Sequence, residues 1–185
     1  AKAVEVTRDA HGRVDGAIVQ AGQAEIRVRA AVVVMATGVW LRDWNGSRKD
    51  DPQALHIRPA KGVHVAVPWL KVRNDCTVTI PVPGRSRRAT ITRWGNVSYL
   101  GTTDEDYDGD LDDVHCTRRE LDFLLEGARS ALKTDLCAED VVGSIAGCRP
   151  LVAPPGGKTL EIKRNHEIRV AADGLVTIVG GKLTT

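Results

Sequence analysis

One short stretch brings together side chains that could accept a proton next to positive charge. The stretch "RPAKGVH", residues 58–64, places Arg58, Lys61 and His64 at the entry of a predicted strand. Positive charge near a histidine favours its neutral form, which is the form that acts as a base. These residues indicate proton abstraction by His64. A structural histidine in a basic surface turn is the alternative that they leave open.

Two arginines lie where an anionic partner is needed. "AGCRPL" places Arg149 before a proline in an otherwise apolar stretch, and "EIKRNHEI" places Arg164 between two predicted strands. An arginine in small, apolar surroundings needs an anion partner, and its planar fork suits a phosphate or a carboxylate bidentately. The two arginines predict an anion site. The alternative for each is a salt bridge to one of the 24 acidic residues.

Two apolar strands end in glycine, "VVVMATG" at residues 32–38 and "LVTIVGG" at residues 175–181. Ligands of open α/β sheets bind beyond the carboxyl ends of the strands. Glycine at that point lets backbone N–H groups approach a phosphate closely. The pair therefore favours a dinucleotide cofactor, and two core strands that end in ordinary turns are the alternative.

Charge and composition argue against several other classes of function. The net charge of +2 over 185 residues lacks the basic bias of a nucleic-acid-binding protein. The four cysteines form no C-x-x-C pair, which argues against zinc and predicts a reducing compartment. The acidic residues 101–113 lack the spacing of a calcium loop, so we predict a solvated loop and no metal site. No run of 18 apolar residues occurs, so no membrane-spanning helix is predicted.

Short strands and one helix must position these residues. Alternating residues predict antiparallel strands near 3–7, 14–19 and 25–28, and the glycine-ended apolar runs predict buried parallel strands. Residues 42–56 are polar and predict a loop. Thr117 and Glu120 form a capping box before leucines at helical spacing, which predicts a helix.

Six motifs occur together and in a fixed order: "MATGVW", "IRPAKGVHVAVP", "YLGTTDEDYDGD", "DVVGSIAGCRPL", "KRNHEI" and "GLVTIVGGKLTT". In this combination the chain resembles the FAD-dependent glycerol-3-phosphate dehydrogenase family from about residue 26 onwards. The resemblance implies an α+β fold, in which an antiparallel β-sheet substrate domain with helix cover is flanked by strands of an incomplete FAD-binding α/β domain. The implied ranges are 1–41 and 173–185 for the FAD-domain strands and 42–172 for the substrate domain.

The resemblance also implies that the chain is an internal fragment that is inactive by itself. The G-x-G-x-x-G motif of the family is absent, and the family continues beyond "GGKLTT" into a helix. A mixed sheet cut from its partner would expose apolar edges, which would favour a homodimer.

The resemblance assigns roles to particular residues. His64 matches the active-site histidine, a candidate base, and Lys182 matches the lysine beside the flavin and substrate. Arg149 and Arg164 match the arginines that hold the substrate phosphate. His166 departs from a tyrosine of some relatives and has no assigned role. The positions implied to contact FAD are Thr37, Gly38, Gly180, Gly181 and Lys182.

The implied reaction is the oxidation of glycerol 3-phosphate to dihydroxyacetone phosphate with FAD as hydride acceptor. The electrons would then pass to a quinone, or to oxygen in the oxidase variant of the family. An amine or 2-hydroxy-acid oxidase and a non-catalytic binding fragment are the other hypotheses. The expected location is the cytoplasm, with a membrane surface as a partner of the full-length protein on the inner face of the cell membrane.

Overall fold

The computed structural model describes residues 1–46, 55–82, 88–152 and 165–181. Within these ranges the strands are β1 (Lys2–Arg8), β2 (Val14–Ala21), β3 (Ala24–Arg29), β4 (Val34–Met35), β5 (Ile57–Pro68), β6 (Val78–Pro81), β7 (Arg88–Trp94), β8 (Val97–Gly101), β9 (Glu105–Asp106), β10 (Gly143–Val152), β11 (His166–Val170) and β12 (Val176–Gly180). The α-helices are α1 (Leu41–Gly46), α2 (Trp69–Val72) and α3 (Arg118–Ala131), and 3-10 turns span Gly38–Trp40 and Ala138–Asp140.

The chain divides into two compact units. Unit 1 contains Ala1–Ile57 and Pro150–Thr185, and unit 2 contains Arg58–Arg149. These boundaries differ from the predicted substrate domain of 42–172, because residues at both ends of that range pack in the hydrophobic cluster of unit 1. The members that lie inside the predicted range are Trp44, Leu55, Ile57, Val152 and Ala171.

Unit 1 contains two three-stranded sheets. The strands β1, β2 and β3 form an antiparallel meander, as the alternating sequence predicts. In the second sheet, β12 lies between β11, to which it is antiparallel, and β4, to which it is parallel. The parallel pairing of the two glycine-ended strands is confirmed. They are not buried on both sides as predicted, since Val34 is 56% exposed.

The short helix α1 replaces the start of the loop that the polar sequence predicts for residues 42–56. Its first residue, Leu41, is 2% exposed and packs in the cluster with Met35, Leu175 and Val179. Trp44, one helical turn later, packs against the same cluster. Burial of these two side chains at helical spacing outweighs the polar character of the residues between them.

Unit 2 is an antiparallel sheet covered by a helix, as predicted. Its strand order is β10-β5-β8-β7-β6, and β9 pairs with the first part of β5. Successive side chains of a strand point to opposite faces. On β5, Val63, Val65 and Val67 are fully buried in a cluster with Leu124 and Leu125 of α3. Gly62 and His64 therefore belong to the face that α3 does not cover.

Helix α3 begins with the predicted capping box. The Thr117 hydroxyl accepts a hydrogen bond from the Glu120 N–H at 3.3 Å, and the Glu120 carboxylate accepts one from the Thr117 N–H at 2.9 Å. This reciprocal pair satisfies two backbone donors that a helix start leaves without partners. The cap therefore fixes where α3 begins above the sheet.

The described parts of the chain contain no helix long and apolar enough to cross a membrane. In the same parts, no group of three or more His, Cys, Asp or Glu side chains is arranged to hold a metal ion.

Candidate active site

Unit 2 carries His64 on the sheet face away from α3. His64 pairs across the ladder with Gly101 of β8, so the two residues share a face. A Cβ atom at Gly101 would lie 2.3 Å from Cδ2 of His64 and 2.6 Å from Cγ. The imidazole ring thus covers the bare backbone of Gly101, and only glycine leaves room for it.

Arg149 of β10 reaches the same face from the other side of β5. A Cβ atom at Gly62 would lie 2.4 Å from Nη2, 2.6 Å from Nη1 and 2.8 Å from Cζ of Arg149. The terminal nitrogens of Arg149 therefore lie against Gly62, two residues before His64 on the same strand. The structure brings the predicted base and one predicted anion-binding arginine together.

The segment after β8 holds Arg149 in place. Nη1 of Arg149 donates to Oδ1 of Asp104 at 3.3 Å, and Nη2 donates to Oγ1 of Thr102 at 3.1 Å. The Asp104 side chain is 2% exposed, whereas that of Arg149 is 31% exposed. Arg149 thus forms a salt bridge to an acidic residue, which is the alternative that its sequence leaves open. Its side chain is nevertheless accessible to a dissolved anion.

The surroundings of His64 favour its neutral form. Burial lowers the pKa of His64 below 6.5, and the positive charge of Arg149 lowers this pKa further. A neutral imidazole at neutral pH has a nitrogen lone pair that can accept a proton. The arrangement can therefore bind an anion at Arg149 and take a proton from a neighbouring group at His64.

The cations that the sequence places beside His64 have other roles. Lys61 points to the α3 face, where its Nζ donates to the Glu120 carboxylate at 2.8 Å and both side chains are less than 10% exposed. Nε of Arg58 donates to the Asp106 carboxylate at 2.9 Å. Burial is the larger cause of the lowered pKa of His64, and the positive charge that lowers this pKa further comes from Arg149, 85 residues further along the chain, and not from Arg58 or Lys61.

In unit 1, the predicted cofactor glycines end neighbouring strands. Because β4 and β12 are parallel, Thr37 and Gly38 after β4 lie at the same sheet edge as Gly180 and Gly181 at the end of β12. Gly38 has φ +57° and open space where a side chain would be. Gly180 has φ +80°, and a Cβ there would lie 2.5 Å from the Asn165 carbonyl oxygen.

Two predicted site residues and His166, which has no predicted role, remain to be placed. Lys182 and Arg164 lie outside the described residues. His166 begins β11 and pairs with Gly180 across the ladder, and its side chain is exposed. The backbone conformation therefore brings His166 to the glycine-ended sheet edge of unit 1.

Sequence reasoning missed four residues of the unit 2 site: Gly62, Gly101, Thr102 and Asp104. A glycine inside a strand pattern signals a close approach to its backbone, and both Gly62 and Gly101 carry this signal. The sequence predicts a solvated acidic loop around Asp104, but the Asp104 side chain is buried against Arg149. No local sequence pattern connects Asp104 with an arginine 45 residues further along the chain.

The sequence model of the family "FAD dependent oxidoreductase" matches residues 1–184. A glycerol-3-phosphate dehydrogenase of Mycobacterium leprae is 35% identical over 173 residues, which cover 92% of this chain and 28% of the relative. Glycerol-3-phosphate dehydrogenase 1 of Mycobacterium tuberculosis is 36% identical over 164 residues, which cover 84% of this chain and 30% of the relative. The chain thus spans less than a third of the length of these curated relatives.

Solved structures resemble the chain as well. The X-ray structure of the glycerol-3-phosphate dehydrogenase from Bacillus halodurans complexed with FAD matches with a TM-score of 0.84 at 28% identity, over 99% of this chain and 35% of that chain. Glycine oxidase from Bacillus cereus matches with a TM-score of 0.61 at 22% identity, over 97% of this chain and 44% of that chain. The second likeness shows a shared fold.

Proposed function

The chain belongs to the FAD dependent oxidoreductase family, and from that premise we propose that the protein to which it belongs oxidises sn-glycerol 3-phosphate to dihydroxyacetone phosphate. One observation carries the proposal. The guanidinium of Arg149 lies against Gly62, two residues before His64 on β5, and the pKa of His64 is lowered by burial and by that arginine. Oxidation of a phosphate ester with a secondary alcohol calls for an anion-binding group and a base in one site.

The glycine turns of unit 1 fit the cofactor of the family. Gly38, Gly180 and Gly181 all have positive φ, and Gly38 has open space beside it. Such turns expose backbone N–H groups to a ligand without obstruction by a side chain. We propose that Thr37 and these three glycines contact FAD, together with Lys182. FAD, when bound, supplies the acceptor for the hydride that leaves C2 of the substrate.

His64 is proposed to take the proton of the C2 hydroxyl. Loss of that proton as the C2 hydride departs converts the alcohol to the ketone: the hydride carries two electrons and one proton from the carbon, and a second proton leaves the oxygen. A base whose pKa lies below neutral is available in its neutral form at neutral pH. The burial of His64 and its position beside Arg149 support this role.

Arg149 is proposed to hold the substrate phosphate, with Arg164 as its partner. A guanidinium offers a planar fork of N–H donors that matches phosphate oxygens. Held in one orientation, it fixes the distance between the phosphate and the hydroxyl that reacts. Lys182 is proposed to stabilise negative charge that develops during the reaction.

The test is turnover by the full gene product that contains this chain, purified with FAD. We expect reduction of an artificial dye with glycerol 3-phosphate and none with glycerol, which lacks the phosphate. Turnover with glycine or another amino acid, and none with glycerol 3-phosphate, would refute the proposal and indicate an amine oxidase.

The electron acceptor is proposed to be a quinone, which the resemblance of the motifs to the family supports. Anaerobic reoxidation by a short-chain quinone, compared with reoxidation by oxygen, tests this point. Faster reoxidation by oxygen would indicate an oxidase. Location in the cytoplasm, attachment to the inner face of the cell membrane and homodimer formation stay predictions, to be checked by cell fractionation and light scattering.

A further inference from the structure

A buried carboxylate lies behind the arginine of the candidate active site. Asp104, three residues after the end of β8, is paired with Nη1 of Arg149 at 3.3 Å, and its side chain is 2% exposed. Thr102 accepts from Nη2 of the same guanidinium at 3.1 Å. Both terminal nitrogens of Arg149 therefore have a partner on one short segment, and these two partners define the edge of the guanidinium.

Gly62 leaves the space that the same guanidinium occupies. The position of a Cβ at Gly62 is 2.4, 2.6 and 2.8 Å from Nη2, Nη1 and Cζ. Both terminal nitrogens are closer than Cζ, so the Nη1–Nη2 side of the group occupies the space where a side chain of residue 62 would begin. Any side chain at residue 62 would have to occupy the volume of the guanidinium.

An arginine held in this way binds an anion at lower entropic cost. A free arginine side chain has several rotatable bonds, and ordering them on binding costs free energy. Arg149 is ordered before the ligand arrives, yet 31% of its side chain is exposed. The group is therefore both fixed and accessible.

We propose that Asp104 and Gly62 are positioning residues: Asp104 pairs with the Arg149 guanidinium and Gly62 leaves the space that it occupies, so that it meets an anionic substrate group in a single orientation. For the identity of that anion as a phosphate ester, this inference rests on the function proposed above. The geometry of the Asp104–Arg149–Gly62 arrangement does not depend on it.

The first experiment measures anion binding in Asp104 variants of the full gene product purified with FAD. Inorganic phosphate is titrated by calorimetry, and KM and kcat are measured with glycerol 3-phosphate. We expect D104A to weaken phosphate binding about tenfold and to lower kcat/KM about 100-fold, mainly through KM. D104N keeps an oxygen that accepts from Nη1, so its phosphate affinity and its kcat/KM should fall less than those of D104A. The control is D108N, an exposed carboxylate of the same segment.

A double-variant cycle tests whether Asp104 acts through Arg149. In R149K the guanidinium fork is absent, although the positive charge opposite Asp104 remains. If Asp104 acts by positioning the fork, D104A should change the phosphate affinity of R149K by less than twofold. Equal effects of D104A with Arg149 and with Lys at residue 149 would overturn the proposal, as would a D104A variant with wild-type affinity and KM.

The Gly62 test has a readout that needs no turnover. G62A introduces no charge, but its Cβ pushes the guanidinium away from the strand that carries His64. The pKa of His64, followed by NMR of the imidazole Cε1–H, should therefore rise. G147A is the matched control, because Gly147 lies on the same strand as Arg149 and has open space at its Cβ position. An unchanged His64 titration and unchanged phosphate binding in G62A would refute the role of Gly62.

The two proposals fail in different ways. If the wild-type protein binds phosphate but does not oxidise glycerol 3-phosphate, the proposed function is wrong, and the Asp104 and Gly62 variants still test positioning. If the wild-type protein oxidises glycerol 3-phosphate and both variants behave as wild type, only the positioning proposal is wrong.

Discussion

The imidazole of His64 lies over the backbone of Gly101, where a Cβ atom would be 2.3 Å from Cδ2 of the ring. The two residues face each other on paired strands in the centre of the unit 2 sheet. The orientation of the candidate base therefore depends on the absence of a side chain on the neighbouring strand.

G101A should displace the ring of His64 while it leaves Arg149 in place. We expect kcat with glycerol 3-phosphate to fall about 100-fold, because a shift of about 1 Å in a reacting group costs that much. Phosphate affinity, measured by calorimetry, should stay within about twofold of wild type. G147A, with open space at its Cβ position, serves as the control and should keep wild-type kcat. A G101A enzyme with wild-type kcat would rule out His64 as the base.

R149M should raise the pKa of His64. Burial and the charge of Arg149 both lower this pKa, and burial is the larger cause. Removal of the charge should therefore move the pKa towards 6.5 without reaching it, as measured by NMR titration. The acid limb of the kcat/KM profile should move to higher pH in parallel. A pKa in R149M at or below the wild-type value would contradict the electrostatic account.

The stability of the chain should rise with pH through the titration range of His64. Its pKa is lower in the folded state than the ordinary value of 6.5. The unfolded chain therefore binds more protons between the two pKa values, and protonation favours unfolding there. The contribution is fully present above pH 6.5 and is lost as the pH falls towards the folded pKa.

Urea unfolding of wild type and H64Q at a series of pH values checks this dependence. The free energy of unfolding of H64Q should change less with pH below 6.5 than that of wild type. Parallel curves for the two proteins would show that the titration of His64 does not contribute.

K61M should destabilise unit 2, because it leaves the buried Glu120 carboxylate without its cation. Breaking one partner of a buried ion pair costs about 3–5 kcal/mol, and both side chains are less than 10% exposed. The measurement is the free energy of unfolding in urea. K71M should cost less, because the Lys71 side chain is 38% exposed and one of its partners, Asp135, is 87% exposed.

The double variant K61M/E120Q should recover part of the stability lost in K61M. It leaves no charge at the buried position, and the amide oxygen of glutamine can still accept from the Thr117 N–H. A double variant less stable than K61M would argue against an unpaired carboxylate as the cause.

Burial opposes the ionised form of Glu120, but hydrogen bonds from Lys61 and Thr117 outweigh it and hold the pKa of Glu120 below 4.5. The stability that this pair contributes should therefore be complete above pH 4.5 and should fall as the pH drops further. Acid titration of the unfolding free energy in wild type and E120Q tests this sign. A wild-type curve that stays flat below pH 4.5 would contradict it.

Local patterns account for much of what the structure shows. The meander at the start of the chain, the capping box at Thr117 and the strands that end in glycine all follow from short-range periodicity and turn chemistry. Such features depend on residues near each other in sequence, so the sequence alone is enough to predict them.

The division into units and the start of α1 depend on packing. Leu41 and Trp44 come together with Leu175 only when the two ends of the chain meet in one hydrophobic cluster. The polarity of residues 42–56 gives no sign of this, because burial of a few side chains outweighs the character of the segment.

The types of side chain available for chemistry can be read from the sequence: a histidine, arginines that need an anion, and glycines at the ends of strands. Which of these side chains meet depends on how the chain folds. The fold turns Lys61 to the α3 face and brings Arg149 beside His64, because neighbouring residues of a strand point to opposite faces and strands distant in sequence become neighbours in a sheet. The fold also buries the Asp104 carboxylate against Arg149. A buried charge of this kind needs an opposite charge as its partner.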